Sequence, residues 1–186
     1  MKKYLLIFFL STTFLHAQDL AAIKKSEVRI DVLALITSSK FNVSYERYLS
    51  KHFSLGLSTS YSNSNKTNED FDAGYRNTIP KYEVNPFIRY NFSNNLSRFY
   101  FAEIFMSANG GDFKETVRID DGTYTYFENQ KSTYFDFAMG GSLGYKMYFK
   151  KKFAVEFLVG FGKNLINPDR SPDVMSRVGL NFGYRF

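Results

Sequence analysis

Arg177-Val178-Gly179-Leu180-Asn181-Phe182-Gly183-Tyr184-Arg185-Phe186 is the last stretch of the sequence. Val178, Leu180, Phe182, Tyr184 and Phe186 fall on one side of an extended strand, and Arg177, Gly179, Asn181, Gly183 and Arg185 on the other. A side-chain period of two this clean predicts a strand with one apolar and one polar face. The apolar face is largely aromatic, so something has to cover it.

The same alternation recurs upstream. Val28 to Ile36 reads as a first strand, followed by a brief polar turn and a second from Phe41 to Leu49, with Arg47 on the apolar side near a headgroup boundary. A third runs from Phe53 to Tyr61. The fourth, Tyr82 to Phe92, contains Pro86, which cannot donate to a ladder and predicts a bulge there. In the less tidy fifth, Tyr100, Ala102, Ile104 and Met106 oppose Phe99, Phe101, Glu103, Phe105 and Ser107. Asn109-Gly110-Gly111-Asp112 interrupts it, and alternation resumes towards the hairpin signal Asp120-Asp121-Gly122. Phe135 to Phe149 and Phe153 to Phe161 alternate cleanly before the terminal strand.

These eight segments mostly have the length that crosses a bilayer as tilted strands, roughly 9–11 residues. Short turns near 50, 95 and 151 alternate with the longer loops 62-80, 109-131 and 164-172. An even strand number with short turns on one side and long loops on the other predicts an all-β fold, an eight-stranded antiparallel up-and-down transmembrane β-barrel. Lipid would then cover the aromatic face.

Composition fits one domain: 186 residues, no cysteine, and 19% aromatics, all Phe and Tyr. Net charge is +6, or 6 − 2 = +4 without Lys2 and Lys3, and no basic stripe points to nucleic acid. Mean hydropathy is −0.30, a value that alternating strands also give. Met1 to Ala17 reads as a removable signal peptide: Lys2 and Lys3, an apolar run from Tyr4 to Leu10, and Leu15-His16-Ala17 at the cleavage site. Residues 18-27 would be a short periplasmic segment and 28-186 the barrel, exported to a bacterial outer membrane.

With the apolar face on lipid, the lumen receives the acids Asp31, Glu46, Glu83, Glu103, Asp136 and Glu156 and the bases Arg29, Arg89, Lys146, Arg177 and Arg185. The near balance of sign predicts a paired ionic filling that replaces a hydrophobic core, since unpaired buried charge is costly. A gated narrow ion path through the same groups is the alternative.

The strand pattern and the ending Gly179, Phe182, Tyr184, Phe186 resemble the small eight-stranded outer-membrane barrels of the OmpX and OmpA-domain type. Ser44-Tyr45-Glu46-Arg47-Tyr48-Leu49-Ser50-Lys51-His52-Phe53-Ser54-Leu55-Gly56 resembles a strand–turn–strand of outer-membrane barrel families of unknown function. The resemblance implies that Gly179, Phe182, Tyr184 and Phe186 form the signal read by the barrel assembly machinery, and that the protein is a monomer in outer-membrane lipid. It specifies architecture and location better than activity.

Enzymatic chemistry is not indicated. Barrel enzymes acting on lipids resemble one another in an outer-rim His, whereas the mature chain keeps only His52, in a predicted periplasmic turn. No His/Cys cluster offers a metal site, and Asp112, Asp120 and Asp121 read as solvated acids rather than calcium ligands. No cofactor is expected. The expected role is structural or surface-interacting and adhesion-like, with an extracellular protein meeting the loops or the hairpin near Asp120–Gly122. The competing readings are a narrow pore, a secreted lipocalin-like carrier and a lipid-modifying barrel enzyme.

Overall fold

The computed structural model describes residues 25–95, 97–120, 122 and 124–186. The predicted signal, Met1 to Ala17, and most of the segment after it lie outside the described residues. In chain order the elements are β1 (Ser26–Asp31), α1 (Val32–Ser38), β2 (Lys40–Tyr48), β3 (Phe53–Ser62), α2 (Asn65–Asp72), β4 (Thr78–Asn91), β5 (Arg98–Asp120), β6 (Thr125–Phe149), β7 (Phe153–Asn164) and β8 (Val174–Arg185). Each strand pairs antiparallel with the next, and β1 pairs with β8 from Glu27↔Arg185 to Asp31↔Asn181, which closes the barrel.

Alternation decides which way each side chain points. On β3, Ser54, Ser58 and Ser60 are buried inside while Phe53, Leu55, Leu57 and Tyr61 are exposed outside. Across the barrel Glu46, Arg89, Lys146 and Glu156 are buried, whereas Ile88, Ile104, Leu143, Phe157 and Phe182 face out. The molecule is polar within and apolar without, the arrangement a strand barrel takes in lipid. A twelve-residue strand such as β7 is about 40 Å long, and at the usual tilt it spans about 30 Å, the thickness of a hydrocarbon core. The turns after β2, β4 and β6 lie at the same end as Ser26 and Phe186, here named the turn end. The two helices, the β5–β6 hairpin and the segment between β7 and β8 occupy the opposite, loop end.

Four local expectations are corrected. The first strand stops at Asp31 instead of running to Ile36. The Asp31 carboxylate accepts the Ala34 N–H at 3.0 Å and caps helix α1, which Ser39 ends at φ 48°. Val32-Leu33-Ala34-Leu35-Ile36 is compatible with either period, and the cap selects the helix. Pro86 causes no bulge: it faces Leu57 of β3, and the β4–β5 register is the same at Val84↔Ala108 and Phe87↔Phe105. The register shift lies between Pro80 and Tyr82. Asn109 to Asp112 does not interrupt β5, which runs unbroken for 23 residues. Gly110 lies where a Cβ would collide with the Tyr82 ring, and Gly111 where it would collide with the Ile79 main chain. Finally, the loop 62-80 contains helix α2, capped by Ser64, whose hydroxyl accepts the Thr67 N–H.

Candidate functional site

The lumen is filled at its turn-end half by one ionic network. Arg89 of β4 lies at its centre. Its Nε donates to Glu103 at 2.6 Å, its two terminal nitrogens grip Glu156 at 2.6 and 3.0 Å, and Nη1 also reaches Glu46 at 3.1 Å. Arg29 of β1 donates to Glu27 at 2.9 Å and to Glu46, and lies 3.4 Å from Glu156. Lys146 of β6 contacts Glu27, Glu46 and Glu156 at 3.0, 2.7 and 2.9 Å. Those three carboxylates lie within 4.8 Å of one another, a spacing that also suits metal ligands, but the Lys146 ammonium touches all three and is their counter-ion.

Aromatic rings pack between the charges. The Arg89 guanidinium lies 4.2 Å from the centre of Phe101 and 4.6 Å from that of Phe87, and Arg177 lies 4.5 Å from that of Phe105. These rings need room in a narrow barrel, and glycines on facing strands supply it. A Cβ at Gly144, the register partner of Phe101, would meet that ring, and one at Gly140, the partner of Phe105, would meet the Phe105 ring. Close contact of planar cations with ring faces favours the paired, water-poor state of the network.

The turn end is stoppered. Tyr48 and Tyr148 share a hydroxyl hydrogen bond of 2.7 Å, and Tyr148 also donates to Glu27. Arg185 stacks over Tyr148 at 3.7 Å and Tyr48 at 4.4 Å. Phe99, Phe101 and Leu158 pack against Tyr48. The loop end is hollow. Two cavities of about 330 and 550 Å³ lie there, the first between α1, β8 and the network, the second beneath α2 and the segment after β7.

Of the expected lumen groups, Arg29, Glu46, Arg89, Glu103, Lys146 and Glu156 meet in the central network, with Arg177 on Glu103 at 2.7 Å and Arg185 at the turn end, 3.8 Å from Glu27. Three others serve local roles. Asp31 caps α1. Glu83 pairs with Lys40 at 2.5 Å. Asp136 accepts the Ile166 and Asn167 N–H groups, each at 2.9 Å, and the Ser171 hydroxyl at 2.6 Å, which orders the segment between β7 and β8. Sequence reading missed Glu27, assigned to a segment before the barrel, and the stopper residues Tyr48 and Tyr148. Glu27 is two residues before Arg29 and so on its face, a signal that was present. Gly179 faces inward against Asp31, while Phe182, Tyr184 and Phe186 face outward.

The profile of a family described as protein of unknown function, DUF3575, matches residues 4–171. The chain belongs to the DUF3575 family. No curated protein matches it. Among solved structures, it is similar to the N-terminal β-barrel domain of Pseudomonas aeruginosa OprF, at 12% identity and a TM-score of 0.58, over 88% of this chain and 98% of that one. It is similar also to Neisserial surface protein A, at 8% identity and a TM-score of 0.52, over 87% and 94%. Ail of Yersinia pestis aligns at 12% identity and a TM-score of 0.49, over 88% and 99%. This DUF3575 chain therefore has the fold of the small eight-stranded outer-membrane β-barrels.

Proposed function

We propose that the protein resides in the outer membrane with its turn end in the periplasm and acts by surface interaction at its loop end. The observation that carries this reading is the β5–β6 hairpin. The β6–β7 ladder ends at Ala138↔Asn164, and the β4–β5 ladder ends at Thr78↔Phe113. The two long strands nevertheless pair on to Asp120↔Thr125, far past their neighbours. Among the described residues no strand lies beside the outer edge of β6 from Thr125 to Ser132, and Tyr124, Tyr126 and Phe127 are exposed near its tip. A raised strand edge with aromatic side chains can take an extended segment of another protein as one more strand.

A filled, stoppered lumen favours this role over conduction, because an ion would have to break the Tyr48–Tyr148 contact and the Arg89 and Lys146 pairs in one passage. The acids beside the cavity are engaged structurally, Asp31 as the cap of α1, Glu83 with Lys40 and Glu156 with Arg89, which favours a non-enzymatic role. The outward aromatics Phe182, Tyr184 and Phe186 support a role as the signal for the barrel assembly machinery.

Cells displaying the protein without residues 119–126 test the reading. Adhesion or capture of an extracellular protein is expected to fall to the level of cells lacking the barrel, while the heat-dependent gel shift of the folded barrel persists. Unchanged adhesion removes the hairpin from the function, and steady ion-selective conductance of the purified protein in planar bilayers would replace this reading with a pore.

A further inference from the structure

The barrel wall is not strand all the way round. β1 leaves β8 at Asp31↔Asn181 and β2 at Ile30↔Val43. Its six residues, at the usual rise and tilt, cover about 15 Å of a hydrocarbon core roughly 30 Å thick. β8 begins at Val174 and β2 at Lys40, so Val174–Leu180 and Lys40–Asn42 each have a strand on one side only. The short helix α1 occupies the gap and packs on both.

The cavity of about 330 Å³ lies directly behind this seam. Its lining includes the inward residues Arg177 and Asn181, and also Ser176 and Val178, which belong to the outward face of β8. Successive residues of β8 border it, so the cavity reaches the strand edge that α1 covers, at the level of the exposed apolar side chains Val178, Leu35 and Ile36.

We propose that this seam is a lateral portal through which a zwitterionic phospholipid places its headgroup in the cavity, its acyl chains remaining against α1 and the outer face of β8. The proposal rests on the barrel being inserted in a bilayer. Three features fix the chemistry. First, main-chain groups of β8 that face α1 lie at membrane depth without a strand partner, and irregular or open backbone there is tolerated only where polar groups meet it. A headgroup supplies such groups. Second, the charged side chains that line the cavity are balanced, Lys40, Arg89 and Arg177 against Asp31, Glu83 and Glu156, and Lys40 holds Glu83 at 2.5 Å. A head of net charge would leave one sign uncompensated in a low dielectric, whereas an ammonium and a phosphate together can exchange with the Lys40–Glu83 pair. Third, the volume lies in the range of small-molecule sites, too small to admit the acyl chains as well.

The chain has no cysteine, so Ser58→Cys gives a single thiol. Ser58 is an inward residue of β3 that lines the cavity. The variant is placed in phosphatidylethanolamine–phosphatidylcholine liposomes doped with a phospholipid whose headgroup carries a maleimide and keeps its quaternary ammonium, so that it stays zwitterionic, and intact mass reads the adduct. The lipid adduct is expected to form. Adding Val178→Trp, an outward ring at the seam, is expected to slow it by at least about tenfold, the change that about 1.4 kcal/mol of added barrier gives. A small water-soluble maleimide, entering from the loop end, should react with both proteins. Labelling by the soluble reagent alone, labelling by neither, or lipid labelling undiminished by Val178→Trp would each overturn the portal. Ser44→Cys and Ser176→Trp replace the first pair if either fails to fold. Heat-dependent gel mobility and protease protection of the same liposomes report insertion separately, and their loss would count against the membrane reading itself.

Discussion

Lys114 closes the end of helix α2 at Phe71: its ammonium donates to the Phe71 carbonyl oxygen and lies 4.8 Å from the centre of the Phe71 ring. It also donates to the Asp72 carbonyl oxygen at 3.1 Å. A cation at a helix C-terminus is favourable because the last carbonyls have no partner within the helix. Phe71 is the buried residue of an otherwise polar helix, so this contact fastens α2 to the base of the β5–β6 hairpin. Lys114→Met is expected to release α2 and leave the barrel intact. Faster amide exchange confined to residues 65–72, with unchanged urea unfolding of the barrel, would show it.

The neighbouring pair Lys131–Asp72, at 2.6 Å, adds a pH dependence. The Lys131 hydrogen bond holds the Asp72 carboxyl below its usual range. A lowered carboxyl stabilises the docked helix above the unfolded value, and that contribution fades as pH falls through the lowered one. Docking of α2 is therefore expected to be constant from neutral pH to about pH 5 and to loosen below about pH 4. In Asp72→Asn the acid dependence of exchange at residues 65–72 should disappear.

Lys146 tests the network. Lys146→Met removes the ammonium that Glu27, Glu46 and Glu156 share and leaves three adjacent buried carboxylates short of a counter-ion. The expected loss is about 3–5 kcal/mol of stability, read by urea unfolding in liposomes or by the temperature of the gel shift. Adding Glu27→Gln should restore part of it, because one uncompensated charge is then removed.

Truncation of Phe186 is expected to reduce folded protein in the outer membrane more than it changes the stability of the molecules that do insert. Quantifying the heat-shifted band in membrane fractions, beside in vitro unfolding of the refolded variant, separates the two effects.

Much of the architecture was legible because a period of two leaves little freedom: Phe135 to Phe149 and Phe153 to Phe161 fall on the expected faces. The rings of Phe99, Phe101 and Phe105 made β5 look untidy because an ionic lumen was expected to be wholly polar. Their meaning lies in the cross-strand partners Gly144 and Gly140, which a register, not a single strand, brings into view. The helix α1 escaped notice because five consecutive apolar residues satisfy both periods and one aspartate decides between them. Glu27 was missed only because the barrel was begun two residues too late, at 28 instead of Ser26. The lateral gap depends on where β1 ends relative to β8, a relation between two distant stretches that periodicity does not carry.

The Tyr48–Tyr148 stopper has a consequence for the cell as well as for the molecule. A barrel closed at its turn end is a cup, not a tube. On the reading proposed above, an envelope holds it at high copy number without surrendering its permeability barrier to solutes, so abundance is limited by surface area and synthesis, not by leakage.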